Sequence, residues 1–236
     1  MPDTPEGLDQ RLSALLTDLV AQGRRVEDLI EQSLDAVFQR DAELATRVVD
    51  LDDTVDRVDV EIERSAVAIL FDATRENVHL DQTQGRRLLN GVKINNELER
   101  IADIGVAMAE RVKRLETPDQ PIPPTLRVMA NSVVGILRDA IGALERGDAT
   151  LAKLVLRGED AIETFKTEIM RDAERQVLGG QMSIAFAFFL NGIAAQLVMM
   201  ADHCSNVAEQ VIYAETGAIV RHGETGWVEK SLGNGG

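Results

Sequence analysis

The chain has one cysteine, Cys204, so no disulfide can close within it. Aromatic residues make up only 3% of its 236 positions, and Val, Leu, Ile, Ala and Met carry most of a 44% hydrophobic content. That content is enough for a real core. Its lack of rings favours helices packed on helices over a β-sandwich. No run of about 18 apolar residues offers a bilayer span, and no basic-then-apolar leader follows Met1. With neither of these and no disulfide, the chain reads as cytoplasmic. Positive charge is also scarce: 25 Lys and Arg stand against 40 Asp and Glu, a formal net charge of −15. Such a surface repels phosphate backbones and anionic headgroups. Nucleic acid is therefore excluded as a general partner, and contact with a membrane is expected only through other proteins.

Proline is missing from 6–117 and from 125–236; all six prolines lie at the start or between 118 and 124. A proline inside a helix costs about 3 kcal/mol, so both long stretches are free to be helical. The segment between them, TPDQPIPP, predicts a stiff extended connector over 117–124. The two halves resemble each other. Arg40-Asp41-Ala42-Glu43-Leu44-Ala45 aligns with Gly147-Asp148-Ala149-Thr150-Leu151-Ala152 at an offset of 107, which also lays Asp52–Asp56 on Glu159–Glu163. Further along the offset is 99, and Asp103, Ala109, Glu110 and Val112 fall on Asp202, Ala208, Glu209 and Val211. A duplicated unit explains both.

Each unit reads as three helices, near 8–40, 42–72 and 82–116, then 125–147, 149–177 and 182–215. The third shows the pattern best: Ile94, Leu98, Ile101, Gly105, Met108, Val112 and Leu115 alternate four and three apart, the seam of nearly parallel bundle helices. The expected fold is thus all-α, a tandem pair of three-helix bundles over 8–116 and 125–216. Beyond them lies a glycine-rich tail, 217–236, with weak order expected.

Helical spacing gathers the acids. Asp52, Asp56, Asp59 and Glu63 fall within about 60° of one another on the second helix, roughly a quarter turn from an apolar stripe of Val48, Leu51, Val55 and Ile62, and Glu99, Asp103 and Glu110 share a face of the third. Two such stripes on neighbouring helices offer hard oxygen ligands to a cation; they are equally the pattern of a solvated face. In the second unit Glu159, Glu163, Asp202 and Glu209 keep acid, but Lys166 replaces Asp59, Met170 replaces Glu63 and Val198 replaces Glu99. Any metal therefore belongs first to the first unit.

The segments Lys93–Asp103 and Ala201–Glu209, with Asp52–Asp56, resemble the third-helix and second-helix signatures of the PhoU family, and the likeness runs over about 10–222. The resemblance implies a cytoplasmic, non-enzymatic negative regulator of the phosphate-starvation response. Such a regulator links the ATPase subunit of a phosphate ABC transporter to a sensor histidine kinase and often forms a homodimer. It also implies binding of iron or another divalent cation through acidic-x-x-x-Asp motifs, here Asp52 with Asp56 and Glu99 with Asp103. Asp59, Glu63, Glu159, Glu163 and Asp202 would be outlying contributors. Two rivals are a metal-dependent enzyme or store, because carboxylate-rich bundles hold di-metal centres, and an accessory scaffold of a different phosphate permease. The helix-borne Glu-x-x-His pair of di-metal bundles is not found on the expected helices.

The remaining reactive residues suggest little chemistry. His79 is expected in a solvent-exposed loop, His203 in a structural role, and Cys204 as a buried small side chain. Phe186, Phe188 and Phe189 are expected to pack in the core at the start of the last helix, and Trp227 to sit in the tail. No phosphate-cradling glycine loop, nucleophile elbow or zinc spacing is present.

Overall fold

The structure is a computed structural model that describes residues 5–115, 120–223 and 226–231, with side chains described for 7–115 and 120–221. Six helices account for almost all of it: α1 (Pro5–Gln39), α2 (Ala42–Arg75), α3 (Gln82–Lys113), α4 (Pro124–Arg146), α5 (Ala149–Leu178) and α6 (Ile184–Thr216). The duplication recurs in local detail. Asp41 and Asp148 cap α2 and α5 identically, each accepting from the backbone N–H groups two and three residues on, which satisfies orphan donors of the first turn. Before each cap the chain turns through a left-handed residue, Gly147 at φ +60° and, at the matching position, Arg40 at φ +55°. Arg40 offsets the strain through its side chain, which bonds the Gln120 carbonyl and lies over the Phe186 ring. Asp81 and Gln84 form a reciprocal capping box at α3, and Ser183 caps α6.

Within each unit the helices bury their apolar seams against one another. Along α3, Ile94, Leu98, Ile101, Met108 and Val112 are all buried, as the four-three spacing predicts. Gly105 in that seam lets α1 approach closely: a Cβ there would stand 2.5 Å from Leu29 Cδ2. The units then pack on each other through α1 with α4 and α3 with α6. Both pairs run antiparallel, since contacts descend one helix as they climb the other. Asn90 meets Gln210, Glu97 meets His203 and Arg111 meets Gln196. Likewise Arg24 meets Glu145 and Arg138 meets Glu31. The halves are thus related by a pseudo-two-fold axis, with α2 and α5 packing against the helices of their own units.

Three expectations are corrected. Leu51, assigned to the apolar stripe of α2, is 38% exposed. The tail does not trail off after Gly217. Ala218–Gly223 (β1) and Gly226–Ser231 (β2) pair as an antiparallel hairpin, held to α6 by the Arg221 guanidinium on buried Glu209. Trp227 and His222 lie on those strands with side chains outside the described set. Finally, α6 is apolar and long enough, by composition alone, to cross a membrane. Its apolar residues instead face the other helices: Phe186, Leu190, Ile193, Leu197, Met200 and Val207 are buried.

Candidate functional site: an acidic groove on the first unit

Acids of α2 and α3 line the groove between these two packed helices, with Asp52 within electrostatic reach of Asp56, Asp103 and Glu99. Helix α2 buries Ala45, Val48, Val55, Ile62, Ala66, Ile69 and Ala73. The gaps in this series fall at Asp52 and Asp59, so two acids occupy seam positions where apolar residues belong. Burial there disfavours charge. The Asp52 carboxyl is pushed up to about 6, first by burial and then by the charges of Asp56, Asp103 and Glu99. Its Oδ1 is buried with no hydrogen-bond partner among the described residues. Burial also raises Glu99, with Asp103 and Asp59 adding to it, and Asp59, with Glu63 and Asp56 adding. Asp56, Glu63 and Asp103 stand at the exposed rim.

Two buried amides that the spacing of acids did not reveal hold this wall. Asn95, 1% exposed on α3, donates to the Asp59 carboxylate at 2.6 Å and to its backbone oxygen at 3.0 Å. Gln22, fully buried on α1, donates to the Val55 carbonyl at 2.7 Å. A polar residue inside an otherwise apolar seam was the available signal in both cases. Glu110, placed on the acidic face by spacing, is instead paired with Lys113 and Arg114 at 3.0 and 2.8 Å.

The second unit keeps Glu159, Glu163 and Asp202 but loses the acids matching Asp59, Glu63 and Glu99. At the offset positions Met129 replaces Gln22, Ala194 replaces Asn95 and Lys166 replaces Asp59. Lys166 sits 3.6 Å from Glu163, and Glu159 accepts from Ser205 at 3.0 Å. Asp202 is raised by burial and by Glu159 and Glu163, while His203 and Lys166 oppose the shift. His203 serves the junction between units: its Nδ1 is 2.7 Å from Glu97, which also accepts from Asn206 at 3.0 Å. Burial works to raise Glu97, and these two partners outweigh it and hold its carboxyl below the usual range.

The donor chemistry of the first groove suits a hard cation: oxygens only, crowded like charges and one unsatisfied buried oxygen. Side-chain placement does not yet match, because among the described residues no three acidic, His or Cys groups converge on one ion-sized point. A cation there would need the rim carboxylates to swing inward. A Glu-x-x-His spacing does occur, Glu76 to His79, but it lies in the turn after α2 with His79 exposed, not on an inward helix face. Cys204 is fully buried, and burial raises its thiol out of the reactive range. Phe186 and Phe189 pack in the core as expected, whereas Phe188 is 70% exposed.

The family model of the PhoU domain matches twice, over residues 19–112 and 126–211, once on each three-helix unit. The chain belongs to the PhoU family. Among curated proteins it is 28% identical over 211 residues to the phosphate-specific transport system accessory protein PhoU homolog 1 of Thermotoga maritima, covering 89% of both chains. It is 26% identical over 222 residues to PhoU of Serratia marcescens, covering 94% of this chain and 89% of that one. Crystal structures of PhoU from Streptococcus pneumoniae and Pseudomonas aeruginosa share its fold, with TM-scores of 0.82 and 0.81 at 21% and 24% identity. They cover 91% and 89% of this chain, and 99% of each of those chains. The PhoU fold therefore extends over both units, and the acidic groove lies within the first matched domain.

Proposed function

We propose that this chain is a cytoplasmic accessory regulator of phosphate transport that represses the phosphate-starvation response, acting by binding rather than by catalysis. The observation that carries this is the double PhoU-domain match over both units, with relatives of nearly the same length named for the phosphate-specific transport system. In this reading one face engages the ATPase subunit of a phosphate ABC transporter and another a sensor histidine kinase. The state of either partner then changes affinity for the other through coupled binding. The exposed apolar side chains Val67, Leu70 and Phe71 on α2, and Ile184 and Phe188 on α6, supply docking area without disturbing the core.

The acidic groove favours a second element of the proposal: Asp52, Asp56, Glu99 and Asp103 take up a divalent cation, iron among the candidates, with Asp59 and Glu63 adjoining. The cation would relieve the like-charge crowding that adds to burial in raising Asp52. The regulatory role is tested by alkaline phosphatase output in a deletion strain grown in abundant phosphate. Unrepressed activity, returned to low by the intact chain, is the expected result; normal repression in the deletion strain would remove the regulator reading. Calorimetric titration with Mn²⁺ tests the cation separately. Heat of binding that disappears when all four acids become amides is expected, and equal heats with both proteins would place the ion elsewhere.

A further inference from the structure

The pseudo-two-fold relation makes the two ends of the molecule comparable, and they are not filled alike. At one end α6 begins with Phe186, Phe189 and Leu190. Phe186 and Phe189 stack with centroids 5.9 Å apart, Arg40 covers Phe186, and Arg127 lies over Phe38 at 4.0 Å. The offsets of 99 and 107 carry Phe186, Phe189, Leu190 and Phe38 onto Arg87, Asn90, Gly91 and Glu145; Leu115 corresponds to Ala214. Every ring at the first end is thus replaced by a smaller or polar side chain at the second. Space remains there: a cavity of about 410 Å³ lies where α1, α3 and the C-terminal ends of α4 and α6 meet. That volume falls in the range of small-molecule sites.

Leu12, Leu15, Leu19, Ile94 and Val211, all buried, form an apolar inner wall, and most of the rest of the lining is polar. Asn90 is 1% exposed; its amide nitrogen donates to the Gln210 carbonyl at 3.4 Å, and its Oδ1 has no partner among the described residues. An unsatisfied buried acceptor has a standing cost that a ligand donor can remove. The rim carries Asp9, Glu145 and Glu215 beside Arg87 and Arg146; Arg24 pairs with Glu145 at 3.1 Å and Arg87 is drawn to Glu215 at 3.7 Å, so among the described residues Asp9 meets only the Gln84 amide, at 2.8 Å.

We propose that this cavity binds a small aromatic amine. Its ring occupies the volume that corresponds to the one Phe186 and Phe189 fill at the opposite end, and its amino group donates to Asn90 Oδ1 with Asp9 and Glu215 at the rim. The site is separate from the α2–α3 groove and stands whether or not that groove holds a cation.

The test is an NMR titration of the full chain with 2-phenylethylamine, read at the methyl groups of Leu15, Leu19 and Ile94. Saturable shifts are expected there and not at methyls near Phe186. Asn90→Phe imports the ring of the filled end and is expected to raise Tm and abolish those shifts. Asn90→Leu, which removes only the acceptor, is expected to weaken binding about fivefold. Ala214→Leu gives the same blockade through a smaller change and guards against misfolding of the Phe variant. No saturable shift in the wild type, or an unchanged titration in a folded Asn90→Phe or Ala214→Leu protein, would overturn the proposal.

Discussion

Asp52 is the residue at which charge and packing conflict most directly. Its folded pKa of about 6 lies above the ordinary carboxylate value of 3.8, so the native state binds a proton more tightly than the unfolded chain does. The sign follows from linkage: Asp52 destabilises the fold once it ionises, the penalty growing from about pH 4 and complete above about pH 6. Asp52→Asn is accordingly expected to raise Tm at pH 7.5 and to leave it nearly unchanged at pH 4; thermal melts followed by helical circular dichroism at the two pH values check this. Glu97 is the opposite case, a half-buried carboxylate with two partners on the other unit. A double-mutant cycle of Glu97→Ala with His203→Ala is expected to give a coupling energy of about 1 kcal/mol. Additive losses would show that the pair does not fasten the units together.

Helix by helix, the glycines distinguish close approach from idle permissiveness. Gly105→Ala would press on Leu29 and Ile30, both buried, and is expected to cost about 1–2 kcal/mol in urea unfolding. Gly135, inside α4 with nothing within 4 Å of an added Cβ, is expected to gain about 0.5–1 kcal/mol on the same change. The helices themselves were legible in the sequence. Proline-free stretches, the internal repeat and the four-three seam of α3 place all six within about three residues of their ends. The groove was legible in part. Spacing collects Asp52, Asp56, Glu99 and Asp103, but not that Asp52 and Asp59 interrupt a core seam, because α2 was read with its apolar stripe beside the acids and Leu51 within it. Asn95 and Gln22 escaped for the same reason, since a buried amide is visible only once the seam is drawn through it. The hairpin escaped because glycine-rich composition signals turns as readily as disorder.

For the whole molecule, two antiparallel helix pairs tie the units into one body, so a single cooperative transition is expected in calorimetry. Two separated transitions would mean that each unit is stable alone. The same packing has a historical meaning. Two like halves facing each other across an axis have the form of a symmetric dimer, and the peptide between them turns an encounter between separate molecules into a permanent one. Assembly of this face then no longer depends on how much protein the cell makes. Fusion also releases the halves from sameness. In a true dimer any change at Asn95 or Asp59 would appear twice, whereas here Ala194 and Lys166 stand opposite them in the same chain. One half can therefore keep a fully acidic groove while the other gives up part of that charge and fills its far end with phenylalanine, a division of labour that identical subunits cannot reach.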